Sequence, residues 1–119
     1  MVLKVRKSKV SPAVPDCPMA ACMAILGGVW TPEVVWHLSE GPRRFSELRR
    51  DLPMISAKVL STRLRELEGR GVIIRTVMAT TPPSVEYDLT DLGMELIPAI
   101  RALVEVGHKL KQRAQERAS

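Results

Sequence analysis

Aromatic residues are scarce in this 119-residue chain: one Phe, one Tyr and two Trp. Proteins that bind single strands stack bases on aromatic platforms, so this composition argues against that mode of binding. Cysteine is rarer still. Cys17 and Cys22 are too few for a disulfide framework, and both are expected as thiols in a reducing compartment. No apolar run approaches the roughly 18 residues that a membrane span needs. The basic start, Lys4 to Lys9, leads into Ser-Pro-Ala-Val-Pro-Asp and not into an apolar signal core. The expectation is a cytosolic protein with no membrane partner.

Catalytic and metal chemistry are equally thin. His37 and His108 are the only histidines and fall in separate predicted helices, with no nucleophile–base motif and no carboxylate pair beside them. An enzyme is therefore not expected. Cys17, Cys22, His37 and His108 show no ligand spacing, which argues against a metal site. Gly27-Gly28 is a helix break with no strand before it and so is no phosphate loop. No cofactor is implied.

What is present is positive charge. Lys and Arg number 18 against 13 acids, a formal net charge of +5, which favours an anionic partner. The length fits one domain. Its most organised stretch runs from Ser56 to Gly71. Leu60, Leu64 and Leu67 recur on one stripe of a helix that Ser56 is placed to cap and Gly71 to end in a left-handed residue. The opposite face carries Lys58, Ser61, Thr62 and Arg65. These donors suit phosphate oxygens and base edges and bring no carboxylate repulsion, although a solvated amphipathic face would look the same. Arg63, Glu66 and Arg70 form a third stripe, with Glu66 placed to pair with Arg70 four residues on.

Residues 1–15 hold Lys4, Arg6, Lys7 and Lys9 and then two prolines, the composition of a flexible basic arm. Asp16-Cys17-Pro18 reads as the cap and first turn of a helix that ends at Gly27-Gly28. Thr31-Pro32-Glu33 opens a second helix, stopped by Gly41-Pro42. A third spans about Phe45 to Leu52, with Phe45, Leu48 and Leu52 facing inward and Arg49 and Arg50 outward. Pro53-Met54-Ile55 then joins it tightly to the helix after Ser56, a helix-turn-helix pattern.

Beyond Gly71 the period shortens. Val72–Val77 is β-branched and Val85–Leu89 alternates, so two strands flank the loop from Met78 to Ser84 with its Pro82-Pro83. A hairpin directly after a helix-turn-helix is a wing. Thr90 is placed to cap a last helix whose Leu92, Leu96, Ile100, Leu103, Gly107 and Leu110 step at coiled-coil spacing, with Pro98 predicting a bend. That seam fits a twofold partner; the alternative is packing on the first helix of the same chain. The fold class is thus mainly α with a small β-hairpin wing. Met19, Met23, Trp30 and Trp36 could line a pocket for a small apolar effector or simply build core.

Five motifs, in order, carry a family resemblance: Gly27-Gly28-Val29-Trp30; Gly41-Pro42-Arg43-Arg44-Phe45-Ser46-Glu47-Leu48; Leu64-Arg65-Glu66-Leu67-Glu68; Pro82-Pro83-Ser84-Val85-Glu86-Tyr87; and Leu89-Thr90-Asp91-Leu92-Gly93. Over residues 16–110 the chain resembles the HxlR-type winged helix-turn-helix regulators, leaving 111–119 as a polar tail or helix end. The resemblance implies a homodimeric transcription factor on a pseudo-palindromic double-stranded operator. In it the fourth helix lies in the major groove, the wing reaches the flanking minor groove and the end helices build the dimer. It places Ser56, Lys58, Ser61, Thr62 and Arg65 in the groove. Ser84 falls at a wing-tip position that is usually Arg or Lys, which shifts the expected backbone contacts toward Arg75 and Arg43, with Arg49 nearby. Val29 stands where the family usually has Lys. Cys17 matches the N-terminal cysteine that senses oxidants or electrophiles in some members. Cys22 lies about 140° round the helix from Cys17, so a disulfide between subunits suits it better than one within the chain. The competing reading is a dimeric protein-interaction module whose basic surface is incidental.

Overall fold

The computed structural model describes residues 17–118. The basic arm assigned to residues 1–15 and the cap assigned to Asp16 lie outside the described residues. The chain runs α1 Pro18–Leu26, α2 Thr31–Leu38, β1 Arg43–Arg44, α3 Phe45–Asp51, α4 Ala57–Gly69, β2 Ile73–Met78, β3 Ser84–Leu89 and α5 Asp91–Ala118. It is the mainly helical winged helix that the sequence predicts.

The core gathers one stripe from each element. Val34, Val35 and Leu38 of α2, Leu48 of α3, Leu60, Leu64 and Leu67 of α4, and Ile97 and Ile100 of α5 are buried together. At about 1.5–3 kcal/mol for each fully buried aliphatic side chain, the three leucines of α4 fix that helix against the domain. Its start and end are as expected. Val59 N–H donates to Ser56 Oγ at 3.1 Å, and Gly71 takes φ +76°. Pairing on the third stripe differs. Arg63 Nη1 meets Glu66 Oε1 at 3.1 Å, because Arg63 is held from its other side, whereas Arg70 is already the C-cap and leaves the helical path.

Three further boundaries depart from expectation. Cys17 is the N-cap of α1, without a side-chain bond. Trp30, at φ +71°, is the N-cap of α2, so Thr31 is a buried first-turn residue and not the cap. Arg43–Arg44 form a short strand on the far side of β3, giving an antiparallel sheet of order β1-β3-β2. Two arginines between Pro42 and a helix carry no alternation, so this strand has no sequence signal.

The α5 seam is split. Leu96 and Ile100, assigned to a dimer interface, are 8% and 2% exposed and belong to the chain's own core. Leu92, Leu103 and Leu110 are exposed, and Gly107 is half-buried. The reason is geometric. The first turns of α5 lie on the domain, while the helix, about 42 Å long at 1.5 Å per residue, outruns it. The helix is continuous through Pro98 to Ala118, so residues 111–118 are its end. Thr90 caps it, accepting from Gly93 N–H at 3.2 Å and donating from Oγ1 to the Gly71 carbonyl at 2.5 Å, while its backbone N–H donates to the Val72 carbonyl at 3.0 Å.

Candidate nucleic-acid interface

The turn of Pro53 and Met54 presents α4 outward because Leu52 and Ile55 on either side of it are buried, and Ile55 N–H donates to Leu52 O at 3.1 Å. With Leu60, Leu64 and Leu67 inward, the opposite face of α4 is left in solvent. Ser56, Lys58 and Arg65 are exposed, and Ser61 and Thr62 half-buried. All three hydroxyls of this face are already engaged, that of Ser56 as the helix cap. Thr62 Oγ1 donates back to the Lys58 carbonyl at 2.9 Å, and Arg65 Nη2 donates to Ser61 Oγ at 3.3 Å. Thr62 is therefore a weaker groove donor than its position implies, while Arg65 is steadied along the helix by a neutral acceptor.

The arginines divide sharply. Arg43 Nη2 lies 3.4 Å from Glu40 Oε1, and its Nε lies 3.8 Å from Asp51 Oδ2, with the side chain 26% exposed. Expected as a backbone contact, it ties β1 to the turn after α2 and to the end of α3. His37 Nδ1 joins the same carboxylate at 3.9 Å. Arg49, Arg65, Arg75 and Lys58 make no ion pair among the described residues and are exposed. Their charge is free for an anion. Ser84 is half-buried, with its hydroxyl 3.2 Å from Thr80 Oγ1, which itself donates to the Pro82 carbonyl at 2.7 Å, so Ser84 braces the wing tip and does not project from it.

Helix and wing converge. Ser61 and Arg65 of α4 and Arg75 of β2 line one cleft of about 240 Å³, together with Leu64, Glu68 and Tyr87. Arg49 lies on α3, outside it. The sequence reading missed Tyr87 and Glu68. Alternation in Val85–Leu89 was signal enough to put Tyr87 on the same side of β3 as buried Leu89, but which element that side faces depends on the hairpin folding back on α4.

The other candidates lie elsewhere. Cys17 is half-buried at the start of α1 and Cys22 exposed on it, both as thiols. Trp36 lines an apolar groove of about 300 Å³ with Pro32, Glu33, Ile100, Leu103 and Val104, under a cation–π contact from Arg101 at 5.9 Å. Met19 and Met23 are 67% and 51% exposed and take no part in it. No single helix among the described residues is long and apolar enough to cross a membrane.

This arrangement has known counterparts. A family model described as HxlR-like helix-turn-helix matches residues 25–115. The chain is 42% identical over 97 residues to YdeP, an uncharacterised HTH-type transcriptional regulator of Bacillus subtilis strain 168, covering 82% of this chain and 76% of that one. Among solved structures it is similar to the redox regulator HypR in its oxidised form, at TM-score 0.75 and 38% identity over 78% of this chain and 96% of that one. It is also similar to reduced YodB, a transcriptional regulator from B. subtilis, at TM-score 0.68 and 37% identity over 75% of this chain and 88% of that one.

Proposed function

The chain belongs to the HxlR-like helix-turn-helix family, whose members are DNA-binding transcriptional regulators and not enzymes, and from that premise we propose that it acts in the cytoplasm as a homodimer on a pseudo-palindromic operator. The observation that carries the DNA contact is the outer face of α4. Lys58, Ser61 and Arg65 stand exposed or half-exposed with no carboxylate partner, on a helix that three buried leucines hold rigid. Donors placed this way suit phosphate and base edges in a major groove.

Two surfaces support the dimer. Every residue of α1 is Pro, Met, Ala, Cys, Ile or Leu, yet only Leu26 is buried. On α5, Leu103, Val106 and Leu110 are 50–58% exposed. Apolar faces of this kind call for cover, and a twofold copy supplies it with the same patch twice. Half-sites one helical turn apart then match two α4 helices.

A gel shift on the protein's own upstream DNA at two salt concentrations, with nonspecific competitor, tests this reading. Specific binding that weakens steeply with salt is expected, at a log–log slope of about −0.9 per phosphate contacted. Salt-insensitive association, or no preferred sequence in a genome-wide selection, would favour the protein-interaction module instead.

Similarity to HypR, a redox regulator, supports a second role for the thiols. Cys17 sits where α1 begins, and α1 is a face offered to the partner, so oxidation linking Cys17 across the dimer would reset the spacing of the two α4 helices. Diamide takes two protons and two electrons from two thiols to make one disulfide. A covalent dimer on non-reducing gels with altered operator affinity is expected; a monomer band with unchanged affinity rejects the role.

A further inference from the structure

The cleft between α4 and the wing is built from a row of side chains set by strand register. Tyr87, on the central strand β3, has Arg75 of β2 as its direct partner on one side and Arg43 of β1 on the other. Directly opposed residues on neighbouring strands project to the same face, so the three form one row across the sheet. The next pair inward, Ile73 and Leu89, is buried in the core on that face. The row is thus the first layer outside the core, where the hairpin leaves α4.

The two arginines of the row have opposite fates. Arg43 is neutralised by Glu40 and Asp51, whereas Arg75 makes no ion pair among the described residues. Across the cleft, Arg65 has only the Ser61 hydroxyl, at the long distance of 3.3 Å. Two guanidinium groups from different elements therefore share one 240 Å³ cleft with a phenol and a single carboxylate, Glu68. The net charge lining it is +1, since two arginines face one acid. Guanidinium forks match the paired oxygens of a phosphodiester, and a phenol donates to the same kind of oxygen. A base edge offers no such concentration of acceptors.

We infer that this cleft seats one phosphate of the DNA backbone, clamped by Arg65 and Arg75 with Tyr87 as a neutral donor. The inference rests on the DNA-binding reading above and refines it: Arg65 positions the helix and does not read sequence. Base reading then falls to the first two turns of α4, to Lys58 and Ser61, because the Thr62 hydroxyl is turned back onto its own helix. Glu68 opposes the phosphate and holds general affinity down.

The test is fluorescence anisotropy of the full-length protein on a duplex selected by the wild-type protein from random sequence and on a scrambled duplex, over a range of salt. Arg65→Ala and Arg75→Ala should weaken both duplexes in step, leaving the ratio of affinities within about twofold. Because one phosphate is shared, the double variant should lower the salt slope by about 1 and not by about 2. Tyr87→Phe should weaken both with the slope unchanged, and Glu68→Gln should tighten both. If Arg65→Ala instead cuts the ratio about tenfold or more, it reads a base and the clamp is wrong. A double variant losing a slope of about 2 would assign the arginines to separate phosphates, also overturning it. Wild-type binding that none of these substitutions alters would place the cleft away from DNA. Absence of any salt-dependent binding by the wild type would remove the DNA reading itself, a different and recognisable failure.

Discussion

Arg63 of α4 donates from Nε to the Val29 carbonyl at 2.7 Å, across 34 residues of chain, while its Nη1 pairs with Glu66. The bond pins α4 to the α1–α2 turn, where Trp30 is left-handed and Gly28 leaves room. A Cβ on Gly28 would stand 2.8 Å from Thr31 Oγ1 and 3.1 Å from Arg63 Nε. Val29 contributes its backbone to this latch and leaves its side chain 65% exposed.

Arg63→Ala should therefore cost about 1.5–3 kcal/mol, the range for a hydrogen bond to a charged donor. Glu66→Gln should cost less than about 1 kcal/mol, since that carboxylate is 56% exposed and its pair is screened. Urea unfolding followed by circular dichroism measures both. Equal costs for the two variants would make the ion pair, and not the carbonyl bond, the important contact.

Ser56 has two duties that one substitution pair separates. Its hydroxyl caps α4, and it lies exposed at the end of the surface proposed to face the DNA groove. Ser56→Ala should lower stability by about 1 kcal/mol through loss of the cap. Ser56→Asp should keep stability, since Asp caps as well, but lose operator affinity through repulsion of phosphate. Thermal melts and anisotropy on the same samples read the two effects, and unchanged DNA binding by the Asp variant would move Ser56 off the interface.

What the sequence made legible follows from how local each signal is. Leucine spacing in α4, its Ser56 cap and the left-handed Gly71 are decided within four residues, and all stand as expected. The partners of Arg43, Glu40 and Asp51, were not legible in the sequence, because Asp51 is brought near only by folding. The same holds for Leu96 and Ile100. Coiled-coil spacing records that a face is apolar but not whether the chain's own domain or a second copy covers it. Tyr87 entered the site through register with Arg75, a nonlocal fact.

Gly93 is a motif residue whose reason is visible only in three dimensions. It is buried one turn into α5, and a Cβ there would collide with the Val72 carbonyl and lie 2.9 Å from Leu89 Cδ2. The obstacle is partly the Val72 carbonyl, which Thr90 N–H also binds at 3.0 Å, so it has little room to yield. Gly93→Ala should cost at least about 1–3 kcal/mol despite the better helix propensity of Ala. Gly107→Ala, with nothing near its added methyl, serves as the control and should be neutral or stabilising in the isolated chain. Similar unfolding midpoints for both would contradict the packing argument.

Because the α5 seam is split, Leu96 and Leu103 should fail in different ways. Leu96 is 8% exposed in the chain's own core, so Leu96→Ala should lose about 2–5 kcal/mol of fold stability. Leu103 is 58% exposed, so Leu103→Asp should leave the single chain folded, while placing a carboxylate on the proposed partner-facing surface. A charge buried without a partner in such an interface costs several kcal/mol, enough to turn dimer into monomer at micromolar concentration. Sedimentation equilibrium alongside circular dichroism distinguishes the outcomes. A Leu103→Asp protein that remains dimeric and fully folded would show that this part of α5 is not the dimer contact, and would leave α1 as the face to test with Met23→Asp.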